Sequence, residues 1–172
     1  MNQDKKFLRK INLKKWNGHP DAEMEDKVHP AAIMDLVSEK DVNTSFYEIK
    51  DSGPTALQIV SAVASGVKTS LTNATWVEVS ESDFTFNGKF YLTKTPGETK
   101  HKGVDDQHWE LRQFSAENCG KLAQTVYEQI KKGLFKSASV DEITNTLRIM
   151  TESKEISFDQ LNKEVKADLK AK

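Results

Sequence analysis

Ala31-Ala32-Ile33-Met34-Asp35-Leu36-Val37 is an apolar run with one acid near its centre, and Ser45-Phe46-Tyr47-Glu48-Ile49-Lys50 is a second, β-prone run. Both runs have the length of a strand, and the polar residues 38–44 between them suit a hairpin loop. Alternate side chains of a strand share one face, so a suitable register places Asp35 directly opposite Glu48. We therefore predict a β-hairpin that covers both runs.

The predicted hairpin places two carboxylates side by side. Opposed Cβ atoms in a sheet lie about 4.5–5.5 Å apart, so Asp35 and Glu48 repel each other unless a positive charge lies between them. A divalent ion supplies that charge, and Mg²⁺ prefers carboxylate, water and phosphate oxygens. Lys50 would then orient or deprotonate an attacking water while the metal stabilises the charge on a phosphate. The pattern predicts phosphodiester hydrolysis that depends on Mg²⁺ or Mn²⁺.

The same residues resemble the PD-(D/E)xK nuclease superfamily over about residues 20–80. Its members carry an acid on one strand and (D/E)-x-K on the next, as Asp35 and Glu48-Ile49-Lys50 do here. The resemblance implies that Asp35 and Glu48 are metal ligands, that the carbonyl of Ile49 is a further ligand, and that Lys50 is the catalytic lysine. It also implies a restriction-endonuclease-like core with a mixed central sheet, and an endonuclease that acts on DNA.

Further patterns predict an α+β fold with a helix buried against the sheet. Ser52-Gly53-Pro54 is typical of a helix entry, with Ser52 as the cap, and the helix that follows is apolar nearly all round. Residues 74–80 and 107–114 read as strands. Asn87-Gly88 lies between residues 84–86 and 89–93 and favours a tight type I′ hairpin of these two segments.

The C-terminal part of the chain has helical patterns only. Ser139-x-x-Glu142 and Ser157-x-x-Gln160 both match the capping box that starts a helix. We expect three helices, over residues 116–133, 139–152 and 157–170. The predicted organisation is therefore an α/β nuclease-like core over residues 1–114 and a helical C-terminal extension over residues 115–172, packed on that core.

The N-terminus is strongly basic. The spacing of Phe7, Leu8 and Ile11 predicts a helix over residues 4–16 with its lysines on the other sides. Such a segment can bind phosphate backbones electrostatically, although an ordinary solvated helix face is an alternative. The candidate nucleic-acid-binding residues are Lys5, Lys6, Arg9, Lys10, Lys14 and Lys15.

Composition restricts the remaining possibilities. The chain is 37% hydrophobic and 30% charged with a net charge of −1, which suits a soluble globular protein with a heavily solvated surface. It has no apolar run long enough for a bilayer and no secretory signal, so we expect a cytoplasmic protein without a membrane partner. A lone cysteine, Cys119, fits that compartment.

Two alternatives to catalysis stay open at this point. The chain is either a DNA-binding protein without hydrolytic activity, or an interaction module that forms a homodimer or binds a protein partner through its C-terminal helices. In both cases a simple ion pair explains Asp35, with Lys50 as a candidate partner.

Overall fold

The computed structural model describes residues 4–16, 28, 30–36, 44–66, 69–112 and 115–171. A six-stranded sheet forms its centre, and every pairing within it is antiparallel. Its strands are β1 (Lys6–Ile11), β2 (Thr44–Ile49), β3 (Ala74–Ser80), β6 (Leu92–Lys94), β7 (His108–Leu111) and β8 (Phe135–Ala138), in the spatial order β6-β7-β2-β1-β3-β8. A separate hairpin pairs β4 (Thr85–Phe86) with β5 (Lys89–Phe90).

Helices cover both faces of this sheet. They are α1 (Leu13–Trp16), α2 (Pro30–Leu36), α3 (Ala56–Ser65), α4 (Lys102–Asp105), α5 (Ala116–Lys131), α6 (Val140–Glu152) and α7 (Lys163–Lys170), with 3-10 turns at Glu81–Phe84 and Phe158–Gln160. One core cluster joins Leu8 and Trp76 to α3, α6 and α7, and the other joins Phe7 and Phe46 to α2 and α5. The α+β class is therefore confirmed, but the sheet is antiparallel where a mixed sheet was predicted.

The N-terminal segment is a central strand, so the predicted helix over residues 4–16 is wrong except for the single turn α1. β1 pairs with β2 on one side and with β3 on the other. Phe7 and Ile11 are buried on one face of the sheet and Leu8 on the other. Apolar residues at these positions fit a helix and a two-sided strand equally well, and sheet pairing decides between them.

The predicted strand over residues 31–37 is also wrong, because Pro30–Leu36 is helix α2. Proline is favoured in the first turn of a helix, and Ala31, Ala32, Met34 and Leu36 are good helix formers. The buried side chains of Ala32 and Leu36 stand four residues apart, which puts them on one helical face. The 31–37/45–50 hairpin is therefore absent from the described structure, and its predicted loop lies almost entirely outside the described residues.

Several elements that short sequence patterns predict are present in the structure. β3 covers the predicted residues 74–80, and β7 lies within the predicted 107–114. Asn87 and Gly88 have φ values of 51° and 74°, as a type I′ turn between β4 and β5 requires. Ser139 and Glu142 form both bonds of the predicted capping box at the start of α6.

Other helix starts are displaced from their predicted positions. Thr55 caps α3 through a capping box with Gln58, so Ser52 is not the cap. Ser157 begins only a 3-10 turn, and α7 starts after Asn162, whose side chain accepts a hydrogen bond from the Val165 amide. The C-terminal part also contributes a strand that was not predicted, β8, which pairs with β3. None of the described helices is long and apolar enough to cross a membrane.

The packing of α6 onto the sheet gives a first prediction. Leu147 is fully buried in α6, whereas Ile149 on the same helix is 62% exposed. We expect Leu147→Ala to lower the free energy of unfolding by about 2–5 kcal/mol, because it removes buried methyl groups and leaves a cavity. Ile149→Ala should stay within about 0.5 kcal/mol of wild type. Urea denaturation followed by tryptophan fluorescence measures both, and equal losses would contradict the packing of α6.

Candidate functional site

Glu48 and Lys50 lie next to each other at the end of β2. The Glu48 carboxylate is nearly buried, accepts a hydrogen bond from Trp109 Nε1 at 3.2 Å, and lies 3.5 Å from the Lys50 ammonium. Along β1 the residue opposite Glu48 is Phe7, and the residue opposite Ile49 is Lys6. The strand of the Glu-x-Lys tripeptide was therefore predicted correctly, but its partner strands are β1 and β7.

Asp35 lies at the other end of β1, where its carboxylate accepts hydrogen bonds from the turn between β1 and α1. Its Oδ2 atom accepts hydrogen bonds from the Asn12 amide and from Trp16 Nε1, each at 2.8 Å. Lys15 lies 3.7 Å from the other carboxylate oxygen. Asp35 therefore forms an ion pair, and its partner is Lys15 rather than the suggested Lys50.

The separation of the two acids does not suit a shared metal ion. Glu48 lies opposite Phe7 in β1, while Asp35 contacts Asn12 just after β1, and five positions of extended chain span roughly 16 Å. Oxygen ligands of one Mg²⁺ ion lie about 2.0–2.1 Å from it, so two such carboxylates must come within about 4 Å of each other. Among the described residues, no group of three His, Cys, Asp or Glu side chains is placed to hold a metal. The Asp35–Glu48 pair thus does not fit the predicted Mg²⁺ or Mn²⁺ site.

The six predicted basic residues are distributed over both faces and both ends of β1. Lys6 and Lys10 point to the face that Leu8 shares, because strand side chains alternate. Arg9 points to the opposite face, and Lys5, just before the strand, lies 5.1 Å from the Trp109 ring. Lys14 and Lys15 are exposed in or beside the α1 turn. Hence the six do not form the single cationic face that a helix would give.

Arg9 holds three parts of the chain together. Its Nη1 donates to the Ser45 carbonyl at 3.0 Å in β2, and its Nη2 donates to the Asp35 carbonyl at 2.8 Å in α2. Burial lowers the pKa of the guanidinium, an effect that the nearby Asp35 carboxylate opposes. An arginine stays charged in proteins, so Arg9 adds a fixed positive charge beneath this end of the sheet.

A groove of about 960 Å³ opens at the same end of β1. One wall is the β1–α1 turn, and the other is formed by residues 71–73 and the first turn of α6. Its polar lining consists of Arg9, Lys10, Asn12, Lys14, Asp35, Thr72, Asn73 and Thr75. Three basic residues and one acid thus line the groove, and that acid already accepts two hydrogen bonds and pairs with Lys15.

Lys10 is the distinctive residue of this groove. Its side chain is half-buried, and within the described part of the chain it makes no ion pair and no hydrogen bond. Burial lowers the pKa of its ammonium, and the neighbouring Arg9 lowers it further, while Asp35 acts in the opposite sense. A half-buried cation without a partner is costly, and an anion in the groove would relieve that cost.

A second polar cluster connects the α4 turn to the segment after α6, and sequence reasoning did not identify it. His101 is buried, its Nδ1 accepts a hydrogen bond from the Val104 amide, and its Nε2 lies 3.0 Å from Glu155 Oε2. Glu155 also accepts hydrogen bonds from Ser153 and Gln58. Because every member bonds within the cluster and caps or joins elements, it is a structural tie.

The comparisons with known proteins add no assignment. No family model matches the chain, and neither a curated protein nor a solved structure matches it. The resemblance to the nuclease superfamily therefore stays a prediction, and the functional argument depends on the geometry of the described residues.

Measurements of unfolding free energy can test whether the Asp35 carboxylate stabilises the turn after β1. We expect Asp35→Ala to lower the free energy of unfolding by about 1–3 kcal/mol, because it leaves the Asn12 amide and the buried Trp16 indole without an acceptor. Asp106→Ala is the control, since that side chain is 65% exposed and Lys102 is its one ion-pair partner among the described residues. Denaturant unfolding of both variants gives the comparison, and an unaffected Asp35→Ala protein would contradict this role.

The Glu155 cluster predicts a dependence of stability on pH. The hydrogen bond from His101 lowers the pKa of Glu155 below its usual 4.5, and the Ser153 hydroxyl contributes in the same sense. A lowered folded-state pKa stabilises the fold above the usual value, and this contribution is lost as the pH falls through the folded-state pKa. Glu155→Gln should therefore lose stability at neutral pH and show a weaker decline than wild type below pH about 4. Urea titrations at a series of pH values measure the unfolding free energy of both proteins. Equal declines of wild type and Glu155→Gln with falling pH would rule out a contribution of the Glu155 carboxylate.

Proposed function

We propose that this protein binds nucleic acid, with the phosphate backbone in the groove at the end of β1. The observation that carries the proposal is Lys10, a half-buried cation without an ion-pair partner among the described residues, in a groove with an excess of positive charge. Phosphate oxygens are the counter-charges that lysine and arginine take in nucleic-acid complexes.

The neutral part of the lining supports the same ligand. Asn12, Thr72 and Asn73 are exposed polar residues at the rim, and such side chains commonly donate to phosphate and sugar oxygens. The groove is open to solvent along the α1 turn, where Lys14 is exposed. A continuous backbone suits an open cationic groove because each phosphate displaces counterions as it binds.

This binding predicts a specific dependence on salt. We expect Lys10→Gln and Lys14→Gln each to weaken the binding of a short labelled DNA duplex, and each to reduce the slope of log K against log salt by about 1. Fluorescence anisotropy across a salt series measures both quantities.

The matched control is Lys102→Gln, because Lys102 is 88% exposed and lies outside the groove. This variant should bind with wild-type affinity and slope. Groove variants that bind as tightly as Lys102→Gln, at every salt concentration, would overturn the proposal.

Hydrolysis of DNA through Asp35, Glu48 and Lys50 stays a prediction without support from the geometry. We expect plasmid DNA incubated with the protein and Mg²⁺ or Mn²⁺ to remain intact, because the two acids do not converge on one ion. Metal-dependent cleavage by the wild type that Lys50→Ala abolishes would instead restore the nuclease interpretation.

Dimerisation or protein binding through the C-terminal helices likewise stays a prediction. Ile149 on α6 is exposed, and so is Leu134 beside β8, each at 62%. Singly exposed apolar residues are ordinary on protein surfaces, so they favour no particular partner.

A further inference from the structure

Partly exposed aromatic rings form a second surface, remote from the groove. Trp109 projects from β7, and its ring centroid lies 6.1 Å from that of Phe90 in the β4–β5 hairpin. Phe86 in the same hairpin lies 6.2 Å from Tyr91. All four rings are incompletely buried, although they pack against the cluster around Phe7.

Three lysines lie over these rings. Lys89 Nζ lies 5.0 Å from the Tyr91 ring centroid, Lys5 Nζ lies 5.1 Å from that of Trp109, and Lys121 Nζ lies 5.9 Å from that of Phe86. Lys121 also pairs with Glu117, whereas Lys5 and Lys89 make no ion pair within the described ranges. Ammonium groups beside ring faces keep the aromatic surface cationic.

We infer that this aromatic–lysine surface, formed by Phe86, Phe90, Tyr91 and Trp109 with Lys5 and Lys89, binds unpaired bases of single-stranded nucleic acid. Every base has a π-face that stacks on an aromatic side chain, and neighbouring lysines attract the backbone that joins the bases. A duplex hides those faces in its own base stack, so the surface selects single strands.

The charge of the surface distinguishes this ligand from an apolar protein partner. The nearby Glu48 carboxylate is nearly buried and already accepts from Trp109 Nε1, with Lys50 3.5 Å away. Beside these rings lie the ammonium groups of Lys5, Lys89 and Lys121, the last of which is paired with Glu117. An apolar partner would have to bury these ammonium groups, whereas a nucleic-acid strand supplies both rings and phosphates.

Tryptophan fluorescence reports on this surface selectively. The chain has three tryptophans, and Trp16 and Trp76 are only 1% and 5% exposed, which leaves Trp109 as the accessible ring. Titration with an oligothymidylate of about 15 nucleotides should quench part of the emission, and Trp109→Phe should abolish that change while retaining a stacking ring.

Affinity measurements with matched variants complete the test. We expect Tyr91→Leu and Phe86→Leu, in preparations whose circular dichroism shows the wild-type fold, to bind the oligothymidylate about 5- to 100-fold more weakly and to bind a duplex as the wild type does. Lys89→Gln changes an exposed side chain, and it should weaken single-strand binding and reduce the salt slope of that binding by about 0.7. Leu134→Ala is the control for an exposed apolar side chain elsewhere.

Two results would overturn the inference. One is unchanged single-strand affinity in Tyr91→Leu, Phe86→Leu and Lys89→Gln, and the other is an absence of Trp109 quenching by the oligothymidylate. The inference does not depend on the groove. Loss of duplex binding in Lys10→Gln tests the groove alone, so the two proposals fail separately.

Discussion

The central position of β1 is the constraint on which the rest of the structure depends. Hydrogen bonds to β2 on one side and to β3 on the other bury Phe7, Leu8 and Ile11 on the two faces of the sheet. Successive side chains of a strand point to opposite faces of the sheet. The basic residues of β1 are therefore divided between the two faces. Arg9 consequently bonds to carbonyls of β2 and α2, while Lys10 emerges at the groove.

The basic residues in and beside β1 have different physical roles. Arg9 is fixed by two carbonyl oxygens, so its contribution to ligand binding is the positive potential that it adds. Lys10 and Lys14 retain donors that an anion can accept from, and Lys5 stands over an aromatic ring. The chain has a net charge of only −1, so local placement rather than overall charge determines where a polyanion would bind.

Sequence patterns correctly predicted those elements that are determined by residues close together in the sequence. The Asn87-Gly88 turn and the Ser139–Glu142 capping box involve atoms at most three residues apart, and both formed as predicted. The two short apolar runs that begin at Phe7 and Ala31 were assigned to the wrong class, because four or five apolar positions fit a strand and a helix. Pro30 in the first turn of α2 is the one local signal that favours a helix over a strand in this run.

The candidate site was only partly predictable for the same reason. Lys10 and Lys14 were recognised as cationic, but the groove beside them needs Thr72 and Asn73 from a distant part of the chain. The Glu48–Trp109 hydrogen bond joins residues 61 positions apart, which no local pattern reveals.

The central claim is that the groove at the end of β1 binds the phosphate backbone of nucleic acid. Lysine acetylation footprinting, read by mass spectrometry with and without duplex DNA, tests this claim most directly. The account predicts that DNA protects Lys10 and Lys14 while Lys102 stays fully reactive, and equal reactivity of Lys10 in both samples would contradict it.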